Sequence, residues 1–222
     1  MDITTLFKLS SGLYIIGTKD NDRDVGCVVN TVVQATAQPV TLSVCIHKDN
    51  FTNACIKKTG EFAASILSEG IKESVIGSFG FSSSRDKNKF SDVSYGLTPS
   101  GMPYLKEGVT GYMQCKVLNI IENYTHTIFI AEVQEAENIS NEQGLYEPPM
   151  TYEYYHRVIK GKAPKNASTY VEDTQITDNT KSLYKCSICG YEFPGSKEEF
   201  EKLPNDYKCP LCGVEKGLFV FS

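Results

Sequence analysis

No stretch of this sequence stays apolar for the length a bilayer crossing needs, so no membrane-spanning helix is expected. Met1 to Gly17 carries one cation, Lys8, and lacks both a basic start and a small-residue cleavage site. No secretory leader is expected, and the chain reads as cytoplasmic. There is no basic stripe with interleaved aromatics, and the 222 residues carry a net charge of -5, which argues against nucleic acid as a partner. No G-x-G-x-x-G follows a strand pattern and no G-x-x-x-x-G-K-[ST] occurs, which removes the Rossmann and P-loop phosphate cradles. Internal repeats are also missing. What remains is ordinary globular material: 41% of residues are hydrophobic, enough for a buried core.

Eight cysteines are unevenly placed. Cys27, Cys45, Cys55 and Cys115 stand singly among apolar residues and read as small buried hydrophobes. Cys186, Cys189, Cys209 and Cys212 come as two tight pairs. A disulfide framework belongs to short secreted chains, so one metal site in a reducing compartment fits better.

The chain changes character twice. Residues 1–160 read as one mixed domain, 161–183 as a polar linker or strap, and 184–222 as a compact unit holding the paired cysteines. β-Branched runs at Leu13–Thr18, Gly26–Val33, Val40–Ile46 and Phe62–Leu67 predict strands. Thr110–Ile121 and His126–Gln134, joined by an Asn-containing turn, predict a hairpin. Helices are predicted at Asn53–Lys58, behind the capping types Asn50 and Thr52, and at Ile71–Phe79 and Tyr152–Lys160. Many strands with few helices make the fold mainly β, a barrel with peripheral helices and a small C-terminal domain.

The pairs read Cys186-Ser-Ile-Cys189-Gly190 and Cys209-Pro-Leu-Cys212-Gly213. Two such turns converge four thiolates on one ion, and the glycine after each pair frees backbone N–H groups to point at sulfur. Tetrahedral four-sulfur sites hold iron or zinc, so the ligand set alone leaves both open. Tyr184, Tyr191, Tyr207, Phe193 and Phe219 surround the pairs, and an aromatic shell that excludes water tunes a redox centre. The pattern Y-x-C-x-x-C-G-Y followed by L-P-x-x-Y-x-C-P-x-C-G resembles rubredoxin. Two departures are a shorter stretch between Cys189 and Cys209, and Tyr207 where the family usually has tryptophan. The resemblance implies one iron in a four-cysteine site.

A one-electron centre needs a supplier. Hydride carriers deliver electrons in pairs, and flavin is the usual splitter. The polar segment Asn30–Thr36 reads as a turn able to hydrogen-bond a ring edge. The loop His47–Thr52 opens a helix N-terminus suited to a phosphate dianion. By itself that pattern is also what ordinary turns look like. Leu9–Gly17, Gly26–Thr36, Ile46–Thr52, Phe79–Phe90, His126–Val133 and Thr151–Gly161 together, in order and spacing, resemble the flavin reductase family with the FMN-binding split-barrel fold. The resemblance implies FMN, NAD(P)H as donor and a homodimer. Carried over by position, Asn30, Thr31, Gln34 and Thr36 face the flavin ring, with Val32 in the same segment. Lys48, Asn50 and Thr52 hold the phosphate beside His47 and Phe51, while Arg85 and Lys89 reach the phosphate or ribityl chain. His47 stands where the family has asparagine. His126 falls where the family places a histidine near the nicotinamide side, and is the catalytic candidate; His156 lies among tyrosines. Ser82–Ser84 reads as a mobile loop. Glu198, Glu199 and Glu201 read as a solvated helix face or a docking surface for an electron-transfer partner.

The two resemblances together imply a flavin reductase fused to rubredoxin. Electrons then run from NAD(P)H through FMN to iron and on to an external acceptor, implied to be a flavodiiron protein reducing oxygen or nitric oxide. The alternative is a flavin or ferric reductase with a structural zinc-ribbon tail.

Overall fold

The structure, a computed structural model, describes residues 9–140, 144–155, 184–189 and 191–221. Seven strands make one antiparallel sheet: β1 (Tyr14–Asp20), β2 (Arg23–Val29), β3 (Val32–Ala37), β4 (Val40–His47), β5 (Glu61–Leu67), and, after a small hairpin of β6 (Tyr95–Leu97) and β7 (Pro103–Leu105), β8 (Val109–Asn123) and β9 (His126–Asn138). Their spatial order is β2-β1-β5-β8-β9-β4-β3. The two edge strands, β2 and β3, are consecutive in the chain and joined only by Asn30 and Thr31. Two residues span at most about 7 Å. The sheet must therefore roll until its edges nearly meet, which leaves a barrel with a split along one side.

The core confirms the roll. Ile16, Cys27, Val32, Leu42, Val44, Phe62, Cys115 and Phe129 share one buried cluster although they come from all seven strands. Alternation along each strand sends the neighbours outward. Ile15, one residue from Ile16, joins a second cluster with Leu67, Ile76, Phe79, Phe90 and Leu105. Helix α1 (Phe51–Thr59) closes the barrel with Ile56. It is capped by Asn50, whose side chain accepts the Thr52 N–H at 3.0 Å, and it stops at Gly60, whose φ of 70° a side chain would disfavour. Helix α2 (Glu73–Phe81) supplies Ile76 and Phe79 to the outer cluster.

One predicted element splits. Gly26–Val33 was expected as a single strand, but the chain turns at Asn30–Thr31, and Thr31 Oγ1 donates to Cys45 O at 2.8 Å. The segment 30–36 is accordingly not a turn, because β3 begins at Val32. The predicted helix at Tyr152–Lys160 is seen as α3 (Tyr152–Tyr154), capped by Thr151. Its remainder, His156 and the linker 161–183 lie outside the described residues.

The C-terminal unit pairs β10 (Tyr184–Cys186) with β11 (Phe219–Phe221) and carries helix α4 (Lys197–Glu201). Ser196 and Glu199 form a reciprocal capping box, so Glu199 is a structural cap within the expected acidic face.

Candidate functional site

The four paired cysteines converge. Their sulfurs all lie within 4.8 Å of one another, with Cys186 to Cys212 at 3.6 Å and Cys189 to Cys209 at 3.5 Å. A metal–sulfur bond of about 2.3 Å in a tetrahedron gives an edge of about 3.7 Å, so the spacing fits one four-coordinate ion. The backbone N–H groups of Leu211 and Cys212 point at Cys209, and those of Tyr191 and Val214 at Cys189 and Cys212. Gly213, at φ 73°, makes the second of these turns possible. The shared protons are uneven. Hydrogen bonds from Cys189 and Cys212 hold Cys209 far below the usual thiol range, while Cys189 is pushed up by its bond to Cys209. A bound cation would displace the remaining protons, since thiolate is the ligand form.

The aromatic shell is present, and its centre is a residue the sequence reading passed over. Phe200, on α4, stacks on Tyr184 at 4.0 Å between centroids and meets Phe193 at 5.2 Å, Phe219 at 4.9 Å and Tyr207 at 6.0 Å. The signal was the Ser196/Glu199 capping box, which predicts a short helix and therefore an inward-facing residue at 200.

At the split of the barrel, strands β3, β4 and β9 bring most of the flavin candidates to one end. Asn30 is buried at the link, and Thr31 binds β4 there. His47 pairs with His126 across β4 and β9, their rings edge-on at 5.0 Å. Burial, then His47, lowers the pKa of His126, so its ring is held neutral over a wider range. Lys48 N–H donates to Thr125 O at 2.9 Å, which ties the loop before α1 to the β8–β9 turn.

The N-terminus of α1 has the marks of an anion site. Thr52, on the first turn of a nine-residue helix, is 0% exposed, and its hydroxyl has no oxygen or nitrogen partner and lies beside the buried Cys27 thiol. Phe51 beside it lies under two guanidinium groups, Arg85 at 5.3 Å and Arg23 at 5.4 Å from its centroid. Arg23 Nη1 also donates to Arg85 O at 3.1 Å. These groups suit the phosphate of FMN, with Lys48 close by, paired to Glu122 at 3.2 Å. Arg23 was absent from the predicted set. It sits beyond the tight β1–β2 turn, 62 positions from Arg85, and nothing local marks it.

Three expectations need revision. Lys89 is 2% exposed, and its ammonium donates to Gly26 O at 3.1 Å and Phe79 O at 3.0 Å. It is a structural cross-link, not free to meet a phosphate. Thr36 donates to Pro39 O and meets Thr41 Oγ1 at 2.6 Å, so its hydroxyl is committed to the β3–β4 hairpin. Ser84 is not in a mobile loop: its hydroxyl accepts from Gly26 N–H and donates to Gly26 O at 2.8 Å.

The two regions touch. Phe81, at the end of α2, packs into the cysteine cluster. The Tyr155 phenol is pushed up by burial first and by nearby Cys189, Tyr152 and Glu73 after it.

Comparison with known proteins agrees with both halves. The flavin reductase like domain family matches residues 6–161. A high molecular weight rubredoxin of Moorella thermoacetica is 37% identical over 99% of this chain and 99% of its own. An Archaeoglobus fulgidus ferric-chelate reductase (NAD(P)H) is 36% identical, covering 78% of this chain but 99% of itself, so part of this chain has no counterpart there. Among solved structures, an FMN-binding protein from Thermus thermophilus superposes with a TM-score of 0.58 at 20% identity, over 66% of this chain and 83% of that one.

Proposed function

Because the chain belongs to the flavin reductase like domain family and aligns from end to end with a high molecular weight rubredoxin, we propose that it is an NAD(P)H-dependent oxidoreductase passing electrons through FMN to a four-cysteine iron centre and on to a protein acceptor. The carrying observation is the convergence of four sulfurs at spacings that fit one ion, in a unit behind and in contact with a flavin-reductase barrel. When bound, FMN accepts electrons in pairs and releases them singly, and the iron takes one at a time. The chain's own residues then do the following. The α1 N-terminus, Thr52, Arg23 and Arg85 hold the phosphate. Asn30 and Thr31 meet the ring edge at the split. His126, kept neutral beside His47, positions the nicotinamide without carrying a proton. The amides of Leu211, Cys212 and Val214 hold the sulfurs, and the rings around Phe200 keep water away.

Further parts of the reading concern assembly. The barrel comprises residues 1–160, the linker 161–183 and the iron unit 184–222. The exposed apolar residues Leu118, Ile120, Ile121 and Tyr124 on the long β8–β9 hairpin support a homodimer. The acceptor is a flavodiiron-type oxygen or nitric oxide reductase, and the setting is the cytoplasm. Among the described residues no helix is long and apolar enough to cross a membrane.

The test is an anaerobic visible spectrum before and after NADH or NADPH. Flavin and ferric-thiolate bands should both be present and both bleach. Flavin bands alone, with zinc on metal assay, would sink the internal electron chain and leave a simple reductase.

A further inference from the structure

His47 stands where the flavin reductase family has asparagine, so the family's flavin site does not account for its ring. The residue ends β4 and lies directly opposite His126, the first residue of β9. Opposed residues of an antiparallel pair send their side chains to the same face, close enough to touch. The two imidazoles accordingly sit with centroids 5.0 Å apart and planes at 80°. Both are half-buried, and neither is sealed from solvent. The backbone around them is pinned. Lys48 N–H donates to Thr125 O at 2.9 Å, Asn50 N–H to His47 O at 3.0 Å, and the buried Asn53 amide to Ile46 O at 2.9 Å.

We propose that His47 and His126 form a second metal site, which takes a divalent first-row transition cation such as nickel or zinc through both imidazoles. The spacing carries this. With a metal–nitrogen bond of about 2.1 Å, each ring centroid lies about 3.2 Å from the ion, so two bound rings stand about 4.6 Å apart in octahedral geometry and about 5.3 Å apart in tetrahedral geometry. The observed 5.0 Å falls between the two. Outer partners are in place as well. Thr125 Oγ1 lies 2.9 Å from His126 Nδ1, and with Nδ1–H donating to it the Nε2 lone pair is free. His47 Nδ1 accepts the Asp49 N–H at 3.2 Å and lies 3.8 Å from the Asp49 carboxylate. When an ion takes His47 Nε2, the ring proton passes to Nδ1 and turns to that carboxylate, the kind of partner that orients a metal-bound imidazole. Imidazole suits zinc, nickel and copper, whereas calcium and magnesium take oxygen ligands, so the pair selects by chemistry. Glu122 is held by Lys48 at 3.2 Å and Lys57 at 2.7 Å, and among the described residues no third side chain joins the two rings. The remaining positions on the ion go to water. An ion here occupies the ring that positions the nicotinamide, so it should raise the KM for the donor; that consequence, unlike the site itself, rests on the function proposed above.

The test is calorimetric titration of Ni2+ into the tag-free, flavin-free full chain with its four-cysteine site already iron-loaded. The wild type should bind a single nickel ion, and magnesium should give no heat. The chain has 3 histidines, so the ligands can be assigned by substitution. His47→Asn and His126→Asn should each weaken nickel binding by about tenfold or more, since even the outer partner of a ligand is worth that much. His156→Asn should leave it unchanged. Circular dichroism checks that each variant is folded, and His47→Gln serves as a second substitution at that position. No nickel bound by the wild type, affinity that survives both changes at His47, or affinity lost in His156→Asn overturns the site. Donor access is read separately, as the KM for NADH of the flavin-loaded protein with and without nickel. Bound nickel that leaves this KM unchanged overturns the effect on the donor and the place given to His126 beside the nicotinamide, while the metal site stands. A wild type that oxidises no NADH at all removes the functional reading, and the calorimetry still decides the site.

Discussion

Two guanidinium groups over one phenyl ring at the mouth of a helix put positive charge where a phosphate would bind. Asp20 lies 3.2 Å from Arg23 and offsets part of their mutual repulsion, and a phosphate at the helix mouth would offset the rest. Arg23→Ala should therefore weaken FMN binding by about 10- to 100-fold, the range of one charge-assisted contact, and leave riboflavin, which lacks the phosphate, nearly unaffected. Parallel fluorescence titrations with the two flavins measure this; equal losses for both would remove the phosphate role. Lys89 makes the opposite kind of prediction. Burial lowers its pKa from 10.5 to about 8. Between those values the unfolded chain binds more protons than the folded one, so the stability Lys89 withholds is recovered as pH rises through that window. Thermal melts of wild type and Lys89→Met should diverge in the wild type's favour from about pH 8 to pH 10, with the gap smallest below. At this scale the cysteines were legible because their spacing is local and the chemistry of paired thiols is specific. Lys89 and Arg23 were not, because a long side chain's direction is set by strands far away in sequence. Phe200 lies between these cases, with a local signal present in the capping box.

The elements were largely legible from periodicity: β1, β4, β5, the β8–β9 hairpin, α1 and α2 all fall where β-branched runs and capping residues place them. The break at Asn30–Thr31 was hidden because valines flank it on both sides, and a run of Val-Val-Asn-Thr-Val-Val satisfies strand propensity throughout. What breaks it is closure: the link joins the two edges of a rolled sheet, and that demand exists only in three dimensions. The β8–β9 hairpin carries its own prediction. Ile120 and Ile121 are adjacent, so they face opposite sides of the ribbon, and both are exposed. Ile121→Lys should convert a dimer to a monomer by light scattering while circular dichroism stays unchanged. A wild type that is already monomeric would remove the dimer from the account.

The molecule as a whole joins two bodies of different origin in their stability. The barrel rests on buried clusters with contributions from every strand of its sheet, whereas the C-terminal unit has one small cluster of which the cysteines are a part. Removing the metal should then act unevenly. Cys209→Ser should abolish the ferric-thiolate bands and leave FMN affinity within about threefold, read by spectrum and titration on the same sample. A comparable loss of FMN binding would mean that the bodies fold as one unit. Their relation was the least legible feature of all, since Phe81 of α2 meets the cysteine cluster across a linker that offers no register.

The order of these bodies along the chain also sets an order in time. The barrel's last sheet strand ends at Asn138 and its bridge from Gly12 reaches Thr151, while the first metal ligand is Cys186 and the last Cys212. During synthesis from the N-terminus, a barrel with its flavin site can thus be complete before the first thiol of the iron site leaves the ribosome. A cell short of iron would accumulate a yellow, folded intermediate with its α2 surface uncovered, and the metal would arrive last at a protein already holding its electron source.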